Sequence, residues 1–361
     1  MSGYAEYREV NLPWLKAVPA HWEIRRNKNI FTEQKEIVGE RSADYTLLSL
    51  TLNGIIPRDM DGGGKFPESF DKYKIVKNGD MAFCLFDIDE TPRTVGLSGY
   101  NGMLTGAYTI MRVSNINARF IYYYYLALDN GKMLRPLYTG LRKTININTF
   151  QSTKVPVPPR EEQDQIVRFL DWKVSNINKL INIKKKEIKA IDALKRSMVS
   201  HAITRGLTTD APMKYSGVKW LGDIVLSLDN TLDSHYANYL FRSRRMVDQY
   251  LVISRGVGSI QRNLYWSALK RVVVPIPSKK EQMEIVEYLD GLNNKFDDTI
   301  KKLTEEVAVL EEYKNKIIAD TVTGKIDVRG IEIPEYEFVD EDNDNVDENL
   351  EQGADEPPEE E

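Results

Sequence analysis

Residues 156–171, PVPPREEQDQIVRFLD, return 119 positions later at 275–290 as PIPSKKEQMEIVEYLD. Pro156/Pro275, Pro158/Pro277, Glu162/Glu281, Gln163/Gln282, Ile166/Ile285, Val167/Val286, Leu170/Leu289 and Asp171/Asp290 are identical pairs, and Phe169/Tyr288 keeps an aromatic ring. A repeat of this kind makes each copy one structural unit, and it constrains the fold more than any local motif does. In the first copy Pro158 and Pro159 hold the chain extended and block strand pairing. Glu161 and Glu162 then fall in the first turn of a helix, where the dipole favours anions.

Each repeat runs on into a helical pattern. Phe296, Ile300, Leu303, Val307, Leu310, Lys314 and Ile317 alternate steps of four and three, and Ile177, Ile181, Lys184, Ile188, Ile191, Lys195 and Met198 take the same steps. That is a heptad seam, which needs a partner helix to bury it. Neither run contains Pro, and Gly is absent from 173–205 and 292–323. Each predicts about 30 residues of helix, or about 45 Å at 1.5 Å per residue. Two matched seams in one chain predict that they pair with each other, with the lysines fixing register at some cost in stability.

Upstream, Leu141 to Ile145 aligns with Ile260 to Leu264 at the same offset, whereas Trp14-Leu15 aligns with Trp220-Leu221 at an offset of 206. The second copy therefore keeps the two ends of the first body and lacks most of its middle: Trp14 to Pro156 spans 142 positions, Trp220 to Pro275 only 55. The first body reads as α+β, with strand-like runs at 46–52, 81–86 and 108–113 separated by Gly- and Asn-rich turns. The aromatic run 119–128 reads as a buried helix. At about 100–200 residues per domain, a chain of this length holds two or three domains.

Composition narrows the function classes. The net charge of −5 conceals an asymmetry: 340–361 holds twelve Asp/Glu and no Lys/Arg, which leaves 1–339 at +7. A basic body admits a polyanionic partner. The residues 330–361 offer no core and read as a disordered acidic tail, one that would compete with DNA for the basic faces. One cysteine, Cys84, excludes a disulfide framework and a cysteine-cluster zinc site. His21, His201 and His235 lie too far apart for ligand spacing. No run of about 18 apolar residues predicts a membrane helix. The N-terminus is polar where a signal peptide needs an apolar core, so a cytoplasmic protein is expected.

No catalytic constellation stands out, and no cofactor or metal is expected. Gly62-Gly63-Gly64-Lys65 is followed by Phe66 and fails the P-loop pattern. Asp87, Asp89 and Glu90 lack a partner motif and read as a solvated acidic loop. Binding is better supplied. Arg142, Lys143 and Thr144, beside Gly140, offer cations and a hydroxyl for phosphates and guanine. Arg58, Lys65, Arg93 and Thr94 sit in loops of the first body, and Arg262 in the second copy corresponds to Lys143. Arg242, Arg244 and Arg245 form a basic cluster able to grip backbone without sequence information. Lys184-Lys185-Lys186 reads as a solvated helix face.

Trp14-Leu15 with Pro19-Ala20-His21-Trp22-Glu23, the second-copy YSGVKWLGDI at 215–224, the 140–145 loop, the PVPP-x-EEQ helix start, the seam helix, and the closing Ala202-Ile203-Thr204 and Thr321 to Asp327 occur in order and in duplicate. Together they resemble the specificity (S) subunit of type I restriction-modification systems over about 5–328. The resemblance implies two target-recognition domains, each reading half of a bipartite site, on two helices that pair as an antiparallel coiled coil. It implies double-stranded DNA and methyltransferase (modification) subunits as partners, with a restriction/translocase subunit joining through the complex. It implies no membrane and no catalysis by this chain. The expected domains are 1–155, a first recognition domain; 156–210, a repeat with spacer helix; 211–274, a shortened second recognition domain; 275–328, the second repeat and helix; and 329–361, the tail. The shortening opens two alternatives: a coiled-coil scaffold that no longer reads DNA, or a half-subunit whose self-association reads a palindromic bipartite site.

Overall fold

The computed structural model describes residues 2–52, 54–58, 67, 69–138, 140, 143–206, 213–215, 219–221, 225–257 and 261–340. The chain divides into two compact units, 1–182 with 309–361 and 183–308.

Unit 1 opens with β1 (Tyr7–Leu12), β2 (Leu15–Pro19) and β3 (Glu23–Arg26). It continues through β4 (Phe31–Gln34), β5 (Leu48–Thr51), β6 (Gly54–Pro57), β7 (Lys74–Val76), β8 (Asp80–Phe83), β9 (Val95–Leu97), β10 (Gly102–Leu104) and β11 (Thr109–Val113). Then come α1 (Ala118–Asn130), α2 (Ile147–Ser152), β12 (Lys154–Val157) and the long α3 (Arg160–Arg205). Four strands form an antiparallel sheet in the order β4-β11-β8-β9, with Met111 opposite both Met81 and Glu33. The strand runs predicted at 46–52, 81–86 and 108–113 contain β5, most of β8 and β11. The aromatic run is α1, buried on nearly every face as its sequence demands. Its Tyr125 joins Phe31, Phe83 and Phe150 in a cluster with ring centroids 4.8–5.9 Å apart.

In unit 2 the chain adds β13 (Met213–Tyr215), β14 (Lys219–Leu221), β15 (Val225–Ser227), α4 (Ser234–Arg242), α5 (Arg244–Ile253), β16 (Arg255–Val257), β17 (Gln261–Asn263), α6 (Trp266–Leu269), β18 (Val273–Pro275) and α7 (Lys279–Val322). The shortened half has a core of its own. Ile203, Tyr236, Leu240, Val274, Ile285 and Leu289 are buried together, drawn from α3, α4, β18 and α7.

The two long helices exceed the expected 30 residues: α3 has 46 and α7 has 44, because the proline-led helix start and the seam are one uninterrupted helix. Each is followed by a glycine in the left-handed region, Gly206 and Gly324, both at φ 76°, the usual residue for closing a helix C-terminus. Burial follows the heptad. From Phe296 to Leu310 on α7 the seam positions are buried or half-buried, and every residue between them is exposed. In unit 2, Lys184 bonds Glu306, and Lys195 Nζ reaches Asp297 Oδ1 at 2.6 Å, so the two helices run antiparallel there. In unit 1, Lys314 Nζ donates to Asn178 Oδ1 at 3.3 Å.

A disordered tail starting at 329 is corrected for its first twelve residues. The segment 328–340 lies along α3. Gln165 Nε2 donates to the carbonyls of Val328 and Ile331 at 3.0 and 2.8 Å. Ser175 Oγ donates to the Glu337 carbonyl at 3.1 Å and accepts from Val339 N at 2.8 Å. Asn178 and Asn182 donate to the carbonyls of Val339 and Asp340 at 3.3 and 2.9 Å. Ser175, Asn178 and Asn182 are all buried, and a buried polar side chain requires such partners. Hydropathy misses the segment because most of the hydrogen bonds that hold it fall on its backbone groups. The rest of the acidic tail, 341–361, lies outside the described residues. A chain ending after Val328 loses the five bonds made to residues 331–340, each contributing about 0.5–1.5 kcal/mol, and should unfold at lower temperature. A chain ending after Asp340 should melt like the full chain, and equal melting of both would contradict this account.

Candidate nucleic-acid interface

The two units attach a shorter helix to the long helix by the same device. In unit 1, Gln163 Nε2 donates to the Pro158 carbonyl at 2.8 Å, and its Oε1 accepts the Asn117 N–H at 2.8 Å. In unit 2, Gln282 Nε2 donates to the Pro277 carbonyl at 2.8 Å, and its Oε1 accepts the Asp233 N–H at 2.7 Å. Asn117 and Asp233 each cap the helix that follows, α1 and α4. About two turns further along the long helix, Tyr123 OH donates to Asp171 at 2.7 Å and Tyr239 OH to Asp290 at 2.5 Å. Gln163/Gln282 and Asp171/Asp290 are repeat pairs, so α1 and α4 are equivalent at an offset of 116. Sequence reasoning missed this pairing, although the signal was present: Asn117, Phe120, Tyr123 against Asp233, Tyr236, Tyr239.

That equivalence locates the shortening. Trp14 to Asn117 spans 103 positions and Trp220 to Asp233 spans 13. The interval holds the β4-β11-β8-β9 sheet and the β5–β6 and β7–β10 pairs of unit 1. Among the described residues, unit 2 keeps the helix and the closing elements without a counterpart of that sheet. Of the apolar residues on α5, Val247, Leu251 and Val252 are exposed, Val252 to 84%.

The sequence candidates fall into separate places. Lys143 sits in a turn at φ +46°. Its Nζ lies 2.5 Å from Glu90 Oε1 and 3.4 Å from Asp89 Oδ2. The Glu90 hydrogen bond holds the Lys143 ammonium above its ordinary value, and Lys143 in turn holds the Glu90 carboxyl below its own. Asp89 also accepts from Arg135 Nε at 3.0 Å and Tyr138 OH at 2.9 Å. Burial pushes the Asp89 carboxyl up, but the bonds from Tyr138, Arg135 and Lys143 outweigh it, and the net shift is downward. The acidic loop is thus neutralised by protein cations. Thr144 is exposed beside Lys143, and the next residue anchors the loop through Ile145 N to the Leu85 carbonyl at 2.7 Å.

Arg93 and Thr94 converge on one buried carboxylate instead of on solvent. Asp129, 1% exposed, accepts from Arg93 Nη1, Thr94 N, Thr94 Oγ1 and Lys132 Nζ at 2.7–3.0 Å. Thr94 is 2% exposed, so no base can reach its hydroxyl. The Thr94 candidate is corrected to a fold role, and the Arg93 guanidinium is spent on α1. Arg58 follows β6 and is half-buried. Arg262 lies on β17 opposite Gly256. Arg142 and Lys65 lie outside the described residues.

Among the described residues, no group of three or more His, Cys, Asp or Glu is placed to hold a metal ion. None of their helices is long and apolar enough to cross a membrane. Burial pushes the Cys84 thiol up to about 11, away from nucleophilic use.

The family model for the type I restriction modification DNA specificity domain matches residues 69–190 and 203–309, more than half of the chain. The chain belongs to this family. Two curated relatives come from Methanocaldococcus jannaschii. The type I restriction enzyme MjaVIII specificity subunit is 25% identical over 221 residues, 59% of this chain and 49% of the relative. The putative type I restriction enzyme MjaX specificity subunit is 24% identical over 218 residues, 56% of this chain and 50% of the relative. The match therefore spans about half the length of these relatives. A chain from a solved structure, described as bearing on complex assembly and conformational transition of the type I R-M system, aligns with 86% of this chain and 99% of its own length at 13% identity and a TM-score of 0.58. That likeness is one of fold. It covers the mixed helix-and-strand architecture with long helices.

Replacing Asp129 with Ala should cost about 3–5 kcal/mol, the range for breaking a buried pair and stranding its partners. The denaturant midpoint reads this directly. An unchanged midpoint would return Arg93 to the set of free cations.

Proposed function

We propose that this chain is the DNA-recognition subunit of a type I restriction-modification complex. It reads a bipartite site and docks the modification subunits that carry the methyltransferase chemistry. The observation that carries the reading is that the two segments matched by the specificity family fall on the two copies of the repeat, 69–190 on the first and 203–309 on the second. Unit 1 supplies the base-reading surface. Its sheet and hairpins stand on α1, and α1 is fixed to α3 by Gln163 and Asp171. The 140–145 loop, which closes that body, carries Arg142, Lys143 and Thr144 to the DNA. Lys143 is partly exposed and its ion pair with Glu90 is a surface pair, which exchanges for phosphate at little cost.

The helices act as the spacer. Burial confined to the seam positions over 296–310 of α7 and the Lys184–Glu306 and Lys195–Asp297 pairs support antiparallel coiled-coil pairing. A fixed helix pair holds two half-site readers, or two modification subunits, at one separation. The chain itself does no chemistry in this reading: Asp89 and Glu90 of the acidic loop are taken up by Arg135 and Lys143.

A second reading is favoured by the exposed Val247, Leu251 and Val252 of α5. Two copies would associate, and the first recognition domain of each would read one half of a palindromic site. Sedimentation of the purified chain separates the two: a monomer supports the first, a dimer the second.

The double variant Arg142→Gln/Lys143→Gln should weaken DNA binding by the assembled complex and reduce the salt slope of log K by about 2, at about 0.9 per lost phosphate contact. An unchanged slope would remove this loop from the interface.

A further inference from the structure

We propose that unit 2 carries a phosphate-binding groove of its own, which grips the DNA backbone without reading bases. The inference rests on the DNA-recognition reading above and assigns a role to the half of the chain that lacks the recognition sheet. Two open hollows meet around Arg196 and Arg244. One, of about 800 Å³, runs along the distal part of α3. The other, of about 520 Å³, lies between α3, the α4–α5 corner and α7. Five cations line them, Lys189, Lys195, Arg196, Arg242 and Arg244, against one carboxylate, Asp192. The hydroxyls of Ser197, Ser200 and Thr204 on α3 add neutral donors suited to phosphate oxygens.

Three of the charges, those of Arg196, Arg242 and Arg244, are available, whereas Lys195 is held by Asp297. Arg196 pairs with Asp192, and Arg244 Nε lies 2.9 Å from Asp248 Oδ1, with side chains 74% and 53% exposed. Exposed i,i+4 pairs of this kind contribute little and exchange readily for phosphate. Arg242 is exposed at the end of α4. The scaffold is fixed. Tyr236 OH donates to the Ile203 carbonyl at 3.2 Å, Tyr239 OH to Asp290 at 2.5 Å, and Asn293 Nδ2 to Tyr239 OH at 2.8 Å, tying α4 to both long helices. Lys189 and Arg196 stand seven residues apart, about 10 Å along α3, so they meet more than one phosphate. A single small anion gains one or two of these contacts, whereas a nucleic-acid strand gains the set. Cations presented from helix faces, without the sheet and loops that unit 1 holds, neutralise charge and carry no base pattern.

The test uses the full chain assembled with its modification subunit. The probes are a duplex carrying the motif methylated in cells and a random-sequence duplex, each titrated across a salt series. The variant is Arg196→Gln/Arg242→Gln/Arg244→Gln, all exposed side chains, and the control is Lys301→Gln/Lys302→Gln on the exposed face of α7. The triple variant should reduce the salt slope of log K by about 2–3 on both duplexes, with the preference for the motif and the melting temperature unchanged. The control should leave the slope as in the wild type. A wild-type slope in the triple variant, with the wild type still preferring its motif, overturns the groove and leaves the recognition reading intact. Loss of motif preference in the triple variant overturns the claim that the groove reads no bases. A wild type with neither salt-dependent binding nor motif preference overturns the recognition reading itself.

Discussion

One buried glutamine in each repeat fixes how a globular body sits on its long helix. Gln163 and Gln282 are 3% and 0% exposed, and each spans from a proline carbonyl to the N–H of a helix cap. A buried amide with an unmet donor or acceptor is costly, so the extended Pro-x-Pro, the cap residue and the first turn of the long helix are locked in one arrangement. The tyrosine–aspartate bond about two turns later sets the rotation of the capped helix, α1 or α4, about that anchor. What the body carries beyond that helix is then free to differ between copies.

The copies differ in that respect. Unit 1 builds a four-stranded sheet and further hairpins on α1, with Asp129 gathering Arg93, Thr94 and Lys132 beneath the surface. Unit 2 keeps the anchor and a core of its own around Tyr236, Leu240, Ile285 and Leu289 but leaves the outer face of α5 open. Losing the block between Trp220 and Asp233 does not touch the glutamine or the tyrosine–aspartate bond, which is why the remainder still folds around α7. A division of labour follows in the proposed function, with base reading in unit 1 and charge neutralisation in unit 2.

The repeat, the seam and the buried aromatic helix were legible because each rests on periodicity or identity that one sequence displays. Burial along α7 tracks Phe296, Ile300, Leu303, Val307 and Leu310 as the heptad implies. The segment 328–340 was not legible, since Ser175, Asn178 and Asn182 grip its backbone, and backbone acceptors exist in any sequence. Arg93 and Thr94 looked like loop residues free to touch DNA. Only the fold brings Asp129 to them from thirty-five positions away. The α1–α4 equivalence hid behind a change of offset from 119 to 116 and behind different side chains on the same cap geometry. Lys189 and Arg196 gave no local signal, because their meaning depends on Arg242 and Arg244 arriving from another element.

The most direct test of DNA recognition by this chain is the pattern of methylation it directs. The chain would be co-expressed with its modification subunit in a methylation-free host, and the modified bases mapped across the genome. The account predicts methylation at one defined bipartite motif, with at least one half changed when residues 31–113 are exchanged for those of another specificity chain. Absence of any motif, while the same modification subunit methylates DNA when given a different specificity chain, would contradict it.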